Sequence, residues 1–404
     1  MIRPPTDEPM QVIVHQLNTV FREVFDCGDE PLIVRSPGRV NIIGEHTDYN
    51  EGFVLPAAID KAAYVTITLR DDNEIHLMAQ DLNERVTVRL SDLKPGGYNH
   101  WSDYLLGSAA QFLKITDKCK GFNAVLTSDV PIGAGLSSSA AIECATVFAL
   151  DHLLATQLDR LTMVKMAQQA EHEYAGVLCG IMDQFASVMG KKDHVIQLDC
   201  RSLEYEYVPF YLKGIKVLLL NTNVKHALAS SEYNTRRQEC NMAVKIIRQY
   251  IPGIQSLRDV TETMLYTYVR EKNPVVFKRS LFVVQESQRL LAACDDLKRN
   301  DLRALGKKML ATHEGLSSMY GVSCKELDWL IDFVKDKPEV LGARMMGGGF
   351  GGCTINLIEE TAVDAFITAI VPAYEAATGL PLNYYVASIE NGTEIIQYPS
   401  CQQA

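Results

Sequence analysis

Four short stretches of this 404-residue chain gather residue types that do chemistry. In SPGRVNIIGEHTDYN (36–50) an apolar run gives way to Glu45, His46, Asp48 and Asn50 within six residues. Carboxylates, an imidazole and an amide can together satisfy several hydroxyls in fixed directions, and Arg39 can neutralise an anion. A solvated turn would use the same residues, since Asn, Asp and Gly favour turns. PIGAGLSSSA (131–140) joins a strand to a helix. Its glycines let backbone approach a ligand, the helix N-terminus offers unpaired N–H groups, and its serines add hydroxyls, so an anion should sit there. Helix capping needs only one of the three serines. In EHEYAGVLCGIMDQ (171–184) Glu171 and Asp183 flank a glycine-broken turn, and Gly176 stands where HExxH would need histidine. An acid near a phosphate loop commonly holds Mg2+, and a second can orient or deprotonate an attacking hydroxyl; capping of the next helix also accounts for Asp183 taken alone. Gly347-Gly-Gly-Phe-Gly-Gly352 contains GxGxxG, but an alternating, β-branched run follows, and a dinucleotide fingerprint must open a helix. A glycine hinge between strands is the better account. Walker and protein-kinase signatures are absent.

These stretches need elements to position them. Residues 63–70 and 85–90 alternate apolar and polar, as half-buried antiparallel strands do. Residues 121–130 read as another strand, 137–155 as a buried helix, 158–174 as an amphipathic helix, and a short helix starts at Asp183 before a strand at 194–198. The pattern restarts at 215 with IKVLLLN, followed by a charged helix over 230–249 and helical segments to about 335. Strands at 343–346 and 353–358 bracket the glycine loop, then come a helix from Thr361 and a last strand near Tyr384. The class is α+β with two domains, 1–210 and 211–404. Residues 240–340 carry no readable motif.

Composition narrows the function. With 47% hydrophobic and 22% charged residues, disordered and fibrous classes drop out. A net charge of −11 disfavours nucleic acid and anionic membranes as partners. Ten scattered cysteines without CxxC suit a reducing cytoplasm. The stretch MIRPPTDEPM lacks the apolar core of a secretory signal, and no run approaches a membrane span.

Together the four stretches resemble the galactokinases, members of the small-molecule kinase family that includes homoserine and mevalonate kinases. SPGRVNIIGEHTDYN looks like their sugar signature, PIGAGLSSSA like the family's phosphate loop, CGIMDQF like its catalytic segment and MGGGFGGC like its third motif. The resemblance implies a ribosomal-protein-like N-terminal domain, a ferredoxin-like C-terminal domain and an active site between them. It implies ATP-dependent phosphorylation of α-galactose at the anomeric hydroxyl, the first step of galactose catabolism. By position, Asp183 is the implied base, and Arg39 the partner that stabilises the transferring charge. Glu45, His46, Asp48 and Tyr233, the last in HALASSEYNTRR, would join Asp183 in binding the sugar. Gly133, Ala134, Gly135, Leu136, Ser137, Ser138 and Ser139 would cradle the nucleotide phosphates, with Ser139 and Glu171 on Mg2+. The expected partners are galactose and Mg·ATP, with the chain a monomer. N-acetylgalactosamine kinase is the nearest alternative substrate reading. A non-catalytic galactose and ATP sensor is the other, and relatives of that kind lack the Ser139-Ala140 pair retained here. Departures from the family pattern are Ala134 and Ser36, and neither alters a functional side chain.

Overall fold

The computed structural model describes residues 10–26, 30–95, 100–131, 133–224 and 229–399. Most of the N-terminal stretch weighed as a signal, residues 27 and 401 among the cysteines, residue 132 of the serine loop and residues 225–228 lie outside the described part.

Helix α1 (Met10–Phe25) precedes β1 (Leu32–Asn41), β2 (Phe53–Val54), β3 (Pro56–Leu69), β4 (Glu74–Ala79) and β5 (Glu84–Arg89). Then come α2 (Ser102–Leu113), β6 (Phe122–Ser128), α3 (Ser138–Leu154), α4 (Arg160–Ala170), α5 (Met182–Met189), β7 (His194–Asp199) and β8 (Tyr205–Pro209). The second half opens with β9 (Ile215–Asn221). It continues through α6 (Ala229–Arg248), α7 (Glu262–Tyr268), α8 (Pro274–Lys298), α9 (Leu302–Gly315) and α10 (Lys325–Val334). It closes with β10 (Val340–Met345), β11 (Cys353–Glu359), α11 (Val363–Thr378), β12 (Asn383–Ala387) and β13 (Glu394–Gln397).

Strands form a six-stranded sheet in the order β13-β1-β3-β6-β4-β5, a four-stranded sheet β10-β11-β9-β12 and a three-stranded sheet β2-β7-β8. The expected antiparallel pairing holds except between β4 and β6, which run parallel. The glycine loop opens β11, a strand, as its β-branched continuation predicts. Helices α1 and α2 and strand β13 extend the sequence reading, which ended its strands near Tyr384.

Every residue of β1 is buried, so it is covered on both faces. Proline is tolerated inside it because the β1–β3 register shifts between Pro37 and Arg39, and proline in a sheet belongs at such irregularities. On one face lies α3, whose apolar residues run all round because α2, α4 and α5 cover its other sides. Local chemistry supports these elements: Asp159 caps α4 by accepting from the Thr162 amide, and Asn273 caps α8, with Pro274 at its first position.

The main apolar core runs from Leu32 and Val34 through Leu150 and Phe185 to Leu219 and Ile355, joining the two larger sheets. A second core, around Cys240, Phe282 and Tyr320, holds the helices of the middle third. At about 1.5–3 kcal/mol for each fully buried Leu, Ile or Phe, these clusters hold the two halves of the chain against one cleft. Two helices end in π-helical turns, Glu171–Ala175 after α4 and Leu316–Tyr320 after α9, and each stops at a left-handed glycine, Gly176 or Gly321. Such turns recur at functional sites; the first carries Glu171, which lines the cavity described next, and the second buries Tyr320 in the helical core.

Candidate active site

The first side of the site is built where β1, α3 and α5 converge. Left-handed backbone at Gly133, Gly135 and Ser137 turns the serine loop into α3. Ala134 and Leu136 point into the core, so only their backbone can serve a ligand, whereas Ser137, Ser138 and Ser139 are half-exposed. Asp183 sits in the first turn of α5 but does not cap it. Its carboxylate takes Arg39 Nε on Oδ1 at 2.8 Å, and Arg39 Nη2 and Ser137 Oγ on Oδ2 at 2.9 and 2.5 Å. Arg39 Nη1 also donates to the Gly135 carbonyl at 2.6 Å, locking the strand to the loop. Ser139 Oγ donates to Glu171 Oε1 at 3.0 Å, while Glu171 Oε2 accepts from Gln184 Nε2 at 2.6 Å. The other hydrogen of that amide reaches the buried Glu143 at 3.1 Å. Burial, and then the charge of Asp183, push the Glu171 carboxyl above its usual range. The pair of Ser139 and Glu171 offers hard oxygen donors suited to Mg2+. Among the described residues no cluster of three or more His, Cys, Asp or Glu could hold a metal alone. A cation here would take most of its ligands from phosphates and water, as Mg2+ does.

The second side is a cavity of about 310 Å3 walled by Arg39, Glu45, His46, Asp48, Asp183 and Tyr233, among others, with the glycine loop at its edge. Glu45 Oε1 accepts from Arg344 Nη2 and from the Gly347 amide, each at 2.9 Å. Burial alone would raise this carboxyl. The Arg344 and Arg39 guanidinium groups and the Gly347 amide outweigh it and hold Glu45 below the usual carboxylate range. Asp48 packs against Gly180, where a Cβ would fall 1.7 Å from its Oδ2, so no larger residue fits there. Burial, with the charges of Asp183 and Glu45, pushes Asp48 up to about 6. His46, with left-handed backbone, has Nδ1 2.7 Å from the Tyr49 hydroxyl. Burial pushes it down to about 4, so the ring is neutral at physiological pH. Gly347 and Gly135 of the two glycine loops approach each other, which brings the third motif beside the serine loop. A further cavity of about 400 Å3, walled by His100, Trp101, Tyr104 and Val177, lies across the turn at 175–177 from the first.

The galactokinase galactose-binding signature matches residues 19–69, the GHMP kinase N-terminal domain 103–191 and the GHMP kinase C-terminal domain 293–376. Over 363 residues the chain is 41% identical to the galactokinase of Thermotoga maritima, covering 90% of this chain and 99% of the relative. The chain belongs to the galactokinase family. Another family member, from Halalkalibacterium halodurans, is 39% identical over 383 residues, 93% of this chain and 96% of its own. A crystal structure of Lactococcus lactis galactokinase complexed with galactose superposes with a TM-score of 0.90 at 35% identity, covering 95% of this chain and 99% of that one. Mevalonate kinase of Methanococcus jannaschii, at 18% identity and a TM-score of 0.64, shares the fold.

In this galactokinase-family site the sequence-predicted residues form two groups. Arg39, Glu45, His46, Asp48, Glu171, Asp183 and Tyr233 wall one cavity. The serine loop adjoins it through Ser137 and Ser139. Sequence reasoning missed Arg344, Gln184 and Glu143. For Arg344 a signal existed, because a charged residue inside the apolar run Ala343 to Met346, next to a glycine loop, requires a buried partner.

Proposed function

We propose that this enzyme transfers the γ-phosphoryl group of ATP to the anomeric hydroxyl of α-galactose, giving galactose 1-phosphate and ADP. The observation that carries the reading is the Arg39–Asp183 pair at the junction of the polar cavity and the serine loop. Each carboxylate oxygen has two acceptor positions. Arg39 holds both oxygens, with Nη2 2.8 Å from Oδ1 as well as 2.9 Å from Oδ2, and Ser137 adds a bond to Oδ2, so Oδ1, the oxygen without the serine, is the one offered to a substrate hydroxyl. Asp183 orients that hydroxyl and accepts its proton as the oxygen–phosphorus bond forms and the bond to the ADP oxygen breaks. Arg39, beside the base, faces the charge that develops on the transferring group.

Glu45, His46, Asp48 and Tyr233 receive the remaining sugar hydroxyls, the two carboxylates as acceptors. The backbone of Gly133 to Ser139 and the start of α3 hold the phosphates. Ser139 and Glu171 hold Mg2+, which neutralises phosphate charge when bound. The cavity walled by Trp101 and Tyr104 suits the planar base of the nucleotide. The domains divide near residue 210, a division supported by the four-stranded sheet, all of whose strands follow that point. The chain is proposed to act as a monomer. No described helix is long and apolar enough to cross a membrane, in keeping with work in the cytoplasm.

The test is ADP release with Mg·ATP across galactose, glucose, arabinose, galacturonate, galactosamine and N-acetylgalactosamine, with Asp183→Asn alongside. Turnover of galactose that disappears in the variant supports the reading. Turnover of the acetamido sugar alone would replace the substrate, and binding of galactose without any turnover would make the protein a sensor.

A further inference from the structure

His46 is held by Tyr49 of its own motif and, behind it, by groups that lie outside all four motifs. Its ring lies within 5.8 Å, centroid to centroid, of three tyrosine rings, Tyr49, Tyr233 and Tyr320. Only Tyr233 of these walls the polar cavity, and Tyr320 is fully buried in the helical core. From His46 Nδ1 a series of hydrogen bonds leads away from the cavity. The Tyr49 hydroxyl lies 2.7 Å from Nδ1, the Tyr320 hydroxyl 2.7 Å further on, and Cys240 Sγ 3.3 Å beyond that. At the other end, Nε2 is buried with no hydrogen-bond partner, in a ring that lines the cavity.

The series can be polarised in only two ways. Burial raises both phenols well above their ordinary range and the Cys240 thiol to about 11, so each link carries one hydrogen. In one polarity Cys240 donates to Tyr320, Tyr320 to Tyr49 and Tyr49 to Nδ1, which leaves the ring proton on Nε2. In the other, Nδ1–H donates to Tyr49 and the series ends with a phenol donating to a thiol sulfur, a weak acceptor. The first matches a good donor, phenol, to a good acceptor, an unprotonated imidazole nitrogen, and places the weak sulfur at the terminus as donor. A neutral imidazole's tautomer is set by the bond its other nitrogen makes.

We propose that Tyr49, Tyr320 and Cys240 are positioning residues that fix His46 as the Nε2–H tautomer, so that it presents a hydrogen-bond donor to the substrate. The inference rests on the cavity being the sugar site. It follows that the sugar atom opposite His46 is recognised as an acceptor oxygen. The middle third of the chain, where no motif could be read, thereby enters substrate recognition through the π-helical turn that carries Tyr320.

The experiment is 15N NMR of histidine-labelled protein, with the His46 signals identified by their loss in His46→Gln. Wild type is expected to show a neutral ring protonated on Nε2, and Tyr49→Phe a mixture of tautomers. In kinetics Tyr49→Phe should raise the galactose KM by about 3- to 10-fold while kcat stays within about 2-fold. Tyr320→Phe should move KM in the same direction by a smaller factor. A wild-type ring protonated on Nδ1 overturns the proposal, as does an unchanged tautomer in folded Tyr49→Phe. Should Tyr49→Phe fail to fold, the wild-type spectrum still decides, and an unchanged KM in Tyr320→Phe counts against the relay. Wild-type protein that turns over no galactose would instead overturn the kinase reading, and the ring spectrum would report on the relay regardless.

Discussion

The proposed phosphate side and the proposed sugar side of this site are assembled over different distances along the chain. On the phosphate side, Ser137 meets Asp183 across 46 residues, Ser139 meets Glu171 across 32, and Gln184 meets Glu171 across 13. On the sugar side, Tyr49 meets Tyr320 across 271 residues, and Glu45 meets Arg344 and Gly347 across 299 and 302. Arg39 reaches from the N-terminal segment into the first group. The phosphate side is thus a largely local device of two helix starts and a loop. The proposed sugar side instead depends on the second half of the chain being docked in register. Chemistry and substrate recognition should accordingly fail separately.

The largest effect is expected at the long-range contact. Arg344 and Glu45 are both buried, and removing one member of such a pair leaves an uncompensated charge. Arg344→Met should cost about 3–5 kcal/mol of stability, measured by urea unfolding. A loss below about 1 kcal/mol would show that the sugar side does not rest on this contact. Next, Asp183→Asn should lower kcat by about 10²-fold or more, with sugar binding by calorimetry within about 3-fold. Near-normal turnover would remove Asp183 as the base. Glu171→Gln should raise the Mg2+ concentration for half-maximal rate about tenfold or more and leave the galactose KM alone, since even outer contacts to a metal commonly carry about tenfold. An equal rise in both would erase the separation of the two sides.

The smallest effect is a pH dependence. Asp48, raised to about 6, is protonated below that value and loses acceptor capacity for hydroxyls. The galactose KM should therefore rise as pH falls through about 6, by up to tenfold per unit below it, and Asp48→Asn should flatten the profile. His46, lowered to about 4, stays neutral across this window, so a profile that survives Asp48→Asn would have to come from elsewhere.

The same difference in range decides what could be read in advance. The serine loop was legible because glycines and serines stand together in one stretch, and Glu171 and Asp183 because two acids flank a glycine-broken turn in the next, with the two stretches meeting across only 32 and 46 residues. Helix α3 was legible because a helix apolar on every side must be buried. Glu45, His46 and Asp48 read equally well as a solvated turn, and only the family resemblance singled them out. Arg344, as a charge inside an apolar run, signals that a buried partner exists but not which one, and Tyr320 carries no local mark, because the partners lie some 300 residues away. Strand β13 escaped for a similar reason. Its four residues, Glu-Ile-Ile-Gln, hardly alternate, and what makes them a strand is the edge of β1. The α2 segment mixes Gly and Ser with Leu, so its intrinsic preference is weak and packing against α3 and α4 fixes it.

Strand β13 also bears on how the protein is born. It pairs with β1 at Ile33, Val34 and Arg35, and Gln397 bonds the carbonyl of Pro31 across 366 residues. A ribosome adding roughly 5–20 residues per second leaves that edge of β1 unpaired for on the order of 20–70 s. During that interval the nascent sheet exposes a template for strand addition by any neighbouring chain. A pulse-chase on stalled nascent chains would show it as chaperone occupancy that ends only after residue 397 clears the exit tunnel.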